Sequence, residues 1–172
     1  MKHSRSGTST RRSFYNQCIN FFWTILCFAP MLSFWIKNGI DYWLYIFMAI
    51  SCLAALTPEQ VLNRLQISKR QKFYHKIGIK IVQKLVQDGQ WSGDLRRYLS
   101  TIAMYERFHW CCFLFFTATT IYGYPSSNWA WKLGILIANL LYNVYPILLQ
   151  QYNKMRIKRI FARQPKEHLE DI

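Results

Sequence analysis

Long stretches of the chain carry no charge, and these gaps predict its elements. Between Arg12 and Lys37 lie 24 consecutive uncharged residues, 13–36. A helix needs about 20 mostly apolar residues to cross the hydrocarbon core of a bilayer. Phe21, Phe22, Trp23, Ile25, Leu26, Phe28 and Leu32 fill this run, so a span is predicted over about 14–36. The run is too long for the apolar core of a secretory signal, and Cys27-Phe28-Ala29-Pro30 is a poor small-x-small cleavage site. A second gap, 42–58, holds 17 residues and sits near the lower limit for a span. It follows closely after Lys37-Asn38-Gly39, which makes the first two spans a hairpin. Two further spans are predicted over 108–124 and 133–153, separated by a turn at Pro125-Ser126-Ser127. The predicted fold is therefore all-α: one integral membrane domain over 1–172, with four transmembrane helices. A loop at 59–107 and tails at 1–13 and 154–172 lie outside the spans.

Charge then orients the spans. The chain holds 22 Lys plus Arg against 8 Asp plus Glu, a formal net charge of +14. The tails and the 59–107 loop carry 20 of the cations, and the two short connections carry only Lys37 and Lys132. Because basic segments stay in the cytoplasm, both termini and the long loop are expected there. Anionic lipid headgroups are its expected surroundings. With 17% aromatic and 52% hydrophobic residues the chain is not intrinsically disordered. All five cysteines fall in or beside apolar runs without a paired C-x-x-C spacing, so no metal site is expected and the thiols read as small hydrophobes. No nucleotide or hydrolase fingerprint occurs, and no cofactor is expected.

Within the long loop, Lys72, Lys76, Lys80 and Lys84 recur every four residues, while Tyr74, Ile77, Ile81, Val82 and Leu85 take the other side. This predicts an amphipathic cytoplasmic helix over 69–86. Its lysines suit anionic headgroups, each contributing about 1 kcal/mol near the surface, or the phosphates of a soluble acyl donor. Nucleic acid is a poor fit, since no readout motif accompanies the charge. After a turn at 88–94, in which Asp94 is placed to cap, the next helix is expected to start near Leu95 and run into the third span.

Two polar groupings stand where chemistry is possible. Glu106 and His109 are three apart, so on a helix they share a face. A carboxylate can orient an imidazole that acts as a general base; equally, the Glu pairs with Arg107 or a loop lysine. On the last span Asn139, Asn143, Pro146, Gln150 and Asn153 recur at spacings of 4, 3, 4 and 3 and form one polar seam. Carboxamides are costly in hydrocarbon unless hydrogen-bonded, so the seam must face other helices or a polar cavity. Pro146 also frees the carbonyl of Tyr142. Lys154, Arg156, Lys158 and Arg159 supply cations beyond it.

The pattern Asn139-x-x-x-Asn143-x-Tyr145-Pro146-x-x-x-Gln150-x-Tyr152-Asn153-x-x-Arg156 resembles the C-terminal signature of the glycosyl-4,4'-diaponeurosporenoate acyltransferase family. The lysine-bearing stretch around Ile77-Gly78-Ile79-Lys80 and the Glu106-x-x-His109 pair agree with it. Where the family form carries arginine, this chain has Gln151. The resemblance covers roughly 60–160 and implies a multi-pass protein of the bacterial cell (inner) membrane. It implies transfer of a fatty acyl chain from a donor such as acyl-coenzyme A to a sugar hydroxyl of a glycosylated carotenoid. It implies His109 and Glu106 as catalytic residues. Asn139, Asn143, Gln150, Tyr152, Asn153 and Arg156 would bind the lipid-borne acceptor, and Lys72, Lys76, Lys80 and Lys84 would meet an anionic donor or headgroup. Alternatives are a lipid-modifying enzyme with another acceptor and a non-enzymatic membrane subunit whose seam binds a partner helix.

Overall fold

The computed structural model describes residues 6–85, 95–123 and 128–161, which form helices joined by short connections, without a strand among them. The helices are α1 (Ser6–Asn38), α2 (Tyr42–Leu53, extended by a 3-10 turn Ala54–Leu56), α3 (Glu59–Arg64), α4 (Gln71–Lys76), α5 (Ile79–Leu85), α6 (Leu95–Tyr122), α7 (Trp129–Asn139) and α8 (Tyr145–Phe161). A π turn, Leu140–Val144, joins α7 to α8 without a break. The predicted turns at 88–94 and 125–127 fall outside the described residues.

Four antiparallel segments pack into a bundle around α6, with α2, α7 and α8 on it and α1 against α7. One end is basic: Arg107 donates through Nε to the Thr57 carbonyl (2.8 Å), and Lys158 Nζ donates to Asn63 (3.2 Å). At the opposite end Asp41 caps α2 through the Trp43 N–H (2.9 Å) and accepts the Tyr122 hydroxyl (2.6 Å). The core between them holds Cys27, Met31, Phe34, Trp35, Phe116, Ile135 and Ala138. Trp35 stacks on Tyr122 at 5.3 Å and donates its indole N–H to Thr119 at 3.3 Å. A side chain at Gly123 would begin 2.9 Å from the ring of Phe34, so glycine permits that approach.

The outside of the bundle is as apolar as its core. Phe21, Phe22, Ile25, Tyr45, Ile50, Leu136 and Leu141 are all more than half exposed. An exposed apolar girdle of this extent is not a water-facing surface. Two helices are long and apolar enough to cross a membrane, Gln17–Asn38 and the α7–α8 rod at Trp129–Ile160. Of the four expected spans, these two meet the length and composition of a full span. The second predicted span forms the shorter helix Tyr42–Leu56. The uncharged part of α6 begins only at Phe108 and ends with the helix at Tyr122, because Glu106 and Arg107 interrupt it.

The single amphipathic helix predicted over 69–86 is two short helices. Gly78 takes φ +79°, a left-handed conformation that ends α4, its N–H bonding the His75 carbonyl at 3.2 Å. The lysines consequently do not share one helix face. Lys72 and Lys76 are exposed on α4 and Lys80 on α5, whereas the Lys84 and Leu85 side chains are outside the described set. Ile81, expected on the buried side, is 67% exposed; Tyr74 and Ile79 are the fully buried residues, against Leu148, Leu149, Tyr152 and Met155 of α8. The 59–85 segment is thus a cap docked on the basic end of α8.

Candidate functional site

The polar interior lies between α6 and the α7–α8 rod. On α6, Glu106, His109, Phe113 and Thr117 are three or four apart and form one stripe. Asn139 meets it first, donating through Nδ2 to the Phe113 carbonyl (3.3 Å) and to Thr117 Oγ1 (3.1 Å). Asn143 donates its own Nδ2 to Asn139 Oδ1 at 2.8 Å. This chain has a fixed direction. The Phe113 carbonyl can only accept, so the amino group of Asn139 must face it. The oxygen of Asn139 then faces Asn143, and Asn143 is left presenting Oδ1. Asn143 is fully buried, yet that oxygen has no hydrogen-bond partner.

His109 occupies the next level of the stripe. Its ring packs edge-on against Tyr142, with centroids 5.7 Å apart. Asn143 and the backbone of Tyr142 are the polar groups beside the imidazole. Three buried side-chain polar atoms lack a hydrogen-bond partner among the described residues: His109 Nδ1, Trp110 Nε1 and Asn143 Oδ1. The π turn puts the Tyr142 backbone there. The Tyr145 N–H bonds back five residues to the Leu140 carbonyl, and Pro146 has no N–H to offer Tyr142. Single π turns of this kind add one residue to a helix and release carbonyls.

That added residue also redirects the seam. Beyond the turn the face towards α6 carries Gln151 and Lys154 rather than Gln150 and Asn153. Lys154 Nζ is 2.6 Å from Glu106 Oε2, with side chains 4% and 0% exposed. Gln151 Nε2 donates to the other carboxylate oxygen at 3.3 Å. Glu106 is therefore held by Lys154, not by Arg107 or a loop lysine, and its two oxygens are engaged away from the imidazole. The expected Glu106–His109 contact is absent because a buried carboxylate takes the nearest buried cation first.

Gln151 continues the network into the cap. Its Oε1 accepts the Ile67 N–H (3.2 Å) and the Tyr74 hydroxyl (3.3 Å), and its Nε2 also reaches the Leu65 carbonyl (3.3 Å). Burial pushes the Tyr74 phenol above its ordinary pKa, so it stays a donor, and it serves the Ser68 carbonyl at 2.9 Å. The remaining seam residues hold the cap as well. Tyr152 Oη contacts Gln71 (3.2 Å) and His75 (3.1 Å), and Asn153 accepts from Gln83 (3.1 Å). Gln150 is buried on another side of α8, and Arg156 is exposed. Asn139, Asn143 and His109 thus come together, while Gln150, Tyr152, Asn153 and Arg156 do not join them. Lys154 and Gln151 were not singled out as site residues. A usable signal existed: Glu106 is the only acid within 95–161, and a buried acid requires a partner. No group of three or more His, Cys, Asp or Glu among the described residues could hold a metal ion.

An apolar helical bundle with a basic end, a buried ion pair and an unsatisfied histidine inside it defines a membrane protein with an interior polar site. Residues 58–163 match the family model described as glycosyl-4,4'-diaponeurosporenoate acyltransferase. The match covers more than half of the chain, and the chain belongs to that family of acyltransferases. No curated protein and no solved structure matches it.

Proposed function

We propose that the protein transfers a fatty acyl chain onto a sugar hydroxyl of a glycosylated carotenoid, with His109 as the general base. The observation that carries this reading is the buried imidazole of His109, one helical turn inside the basic end of a family acyltransferase. The acceptor lies in the bilayer and brings its hydroxyl to His109. The acyl donor, a thioester such as acyl-coenzyme A, approaches the basic end, where Lys72, Lys76 and Lys80 are exposed. His109 takes the hydroxyl proton as the oxygen attacks the thioester carbonyl. The C–S bond breaks, and the proton passes to the departing thiolate. No covalent enzyme intermediate is required.

In this reading the chain crosses the membrane four times with its basic end in the cytoplasm. The division of cations, 20 against 2, supports that orientation. The activity test is acyl transfer from a labelled thioester to the glycosylated carotenoid in membranes. His109→Gln keeps hydrogen-bonding ability but cannot take a proton at neutral pH, and a loss of about 100-fold to 10,000-fold is expected. Near-normal activity in this variant, at normal protein level, removes the catalytic role of His109.

A further inference from the structure

His109 and Asn143 adjoin, and each holds a buried polar atom without a hydrogen-bond partner, the ring nitrogen Nδ1 and the carboxamide oxygen Oδ1. One is a potential donor, and the other is an acceptor by the polarity of the chain from Phe113 through Asn139. That polarity is set by a backbone carbonyl, which cannot reverse its role. Asn143 cannot rotate its amide without forfeiting its 2.8 Å bond to Asn139. The oxygen is therefore presented permanently, and an imidazole beside it is favoured as the tautomer that carries hydrogen on Nδ1. Glu106, the other candidate for this task, is committed to Lys154 and Gln151.

We infer that Asn143 is the positioning residue of His109, its Oδ1 accepting the Nδ1–H and leaving the lone pair on Nε2. This rests on the reading of His109 as the base and adds which nitrogen acts and what holds it. A buried unpaired oxygen costs about 1–3 kcal/mol, as does an unpaired N–H, so a small closure between the two atoms relieves both. Thr117 extends the device: its hydroxyl donates to the Phe113 carbonyl at 2.7 Å and accepts from Asn139, so the chain is anchored to α6 at its far end. A carboxamide rather than a carboxylate in this role adds no charge to the buried Glu106–Lys154 pair.

The test reads the tautomer directly. Protein labelled with 15N-histidine is placed in phospholipid nanodiscs, and the His109 signals are assigned by their loss in His109→Gln. Wild-type protein is expected to show hydrogen on Nδ1 and an unprotonated Nε2 in the neutral ring. Asn143→Leu should shift the ring towards the Nε2–H form and lower kcat about 100-fold while the acceptor KM changes less than threefold. Asn139→Ala releases the amide of Asn143 and should give a mixture of tautomers even if Asn143→Leu fails to accumulate. An Nε2–H tautomer in the wild type overturns the inference. So does an unchanged tautomer in either folded variant, or a rise in KM at constant kcat, which would make Asn143 a sugar contact. If the wild type lacks acyl transfer altogether, the proposed function fails, and the tautomer measurement still decides the His109–Asn143 contact.

Discussion

At the scale of single residues the dominant feature is the Glu106–Lys154 pair. Two charges this deeply buried each lose several kcal/mol of hydration, and their attraction returns it only while both are present. Gln151 adds a third polar partner at 3.3 Å and ties the pair to the cap. Glu106→Gln leaves the ammonium of Lys154 uncompensated, and Lys154→Met leaves the carboxylate. Either change is expected to destabilise the protein by about 3–5 kcal/mol, whereas Glu106→Gln with Lys154→Met should recover most of that loss. Thermal unfolding in detergent of the two single variants and the double variant measures this. Additive losses would show that the groups do not form a pair.

At the scale of elements, the π turn decides what the last helix presents. It opens Leu140–Val144 by one residue, so that Asn139 before it, Asn143 within it and Gln151 and Lys154 after it all turn towards α6. Leu141 is 52% exposed, so its side chain contributes little packing. Deleting Leu141 should convert the turn to regular α-helix while the flanking segments keep their directions. The Glu106–Lys154 pair then survives and the protein accumulates normally. Acyl transfer is expected to fall at least ~10-fold, because Tyr142 and Asn143 move relative to His109. Unchanged activity would separate the π turn from the chemistry. A collapse in protein level would mean that the turn is required for folding.

At the scale of the whole molecule, the cap and the bundle share one basic end. The network from Glu106 through Gln151 to Tyr74 and the 65–68 segment ties the cap to α6 and α8 at that end. In the proposed reaction an anionic donor meets the exposed lysines Lys72, Lys76 and Lys80 before it meets His109. This arrangement serves catalysis only if the basic end faces the compartment that supplies the donor. Reporter fusions after Ala162 and within 88–93 should both report the cytoplasm. An external signal at either position would overturn the four-crossing topology.

The sequence by itself determined the helical character, the apolar belt, the segregation of basic charge and the family pattern. Each follows from local composition or from fixed spacing, which survives whatever the chain does elsewhere. The four-residue spacing of Asn139 and Asn143 likewise sufficed for their mutual hydrogen bond. The tertiary structure decided what spacing cannot carry. A helical face can be extrapolated only through regular helix, and Gly78 breaks the lysine face while the π turn shifts the asparagine seam by a residue. The partner of Glu106 lies 48 residues away on another helix. Local adjacency offered His109 and Arg107, but burial selected Lys154, because in a medium without water a charge is placed where an opposite charge and a carboxamide can both reach it.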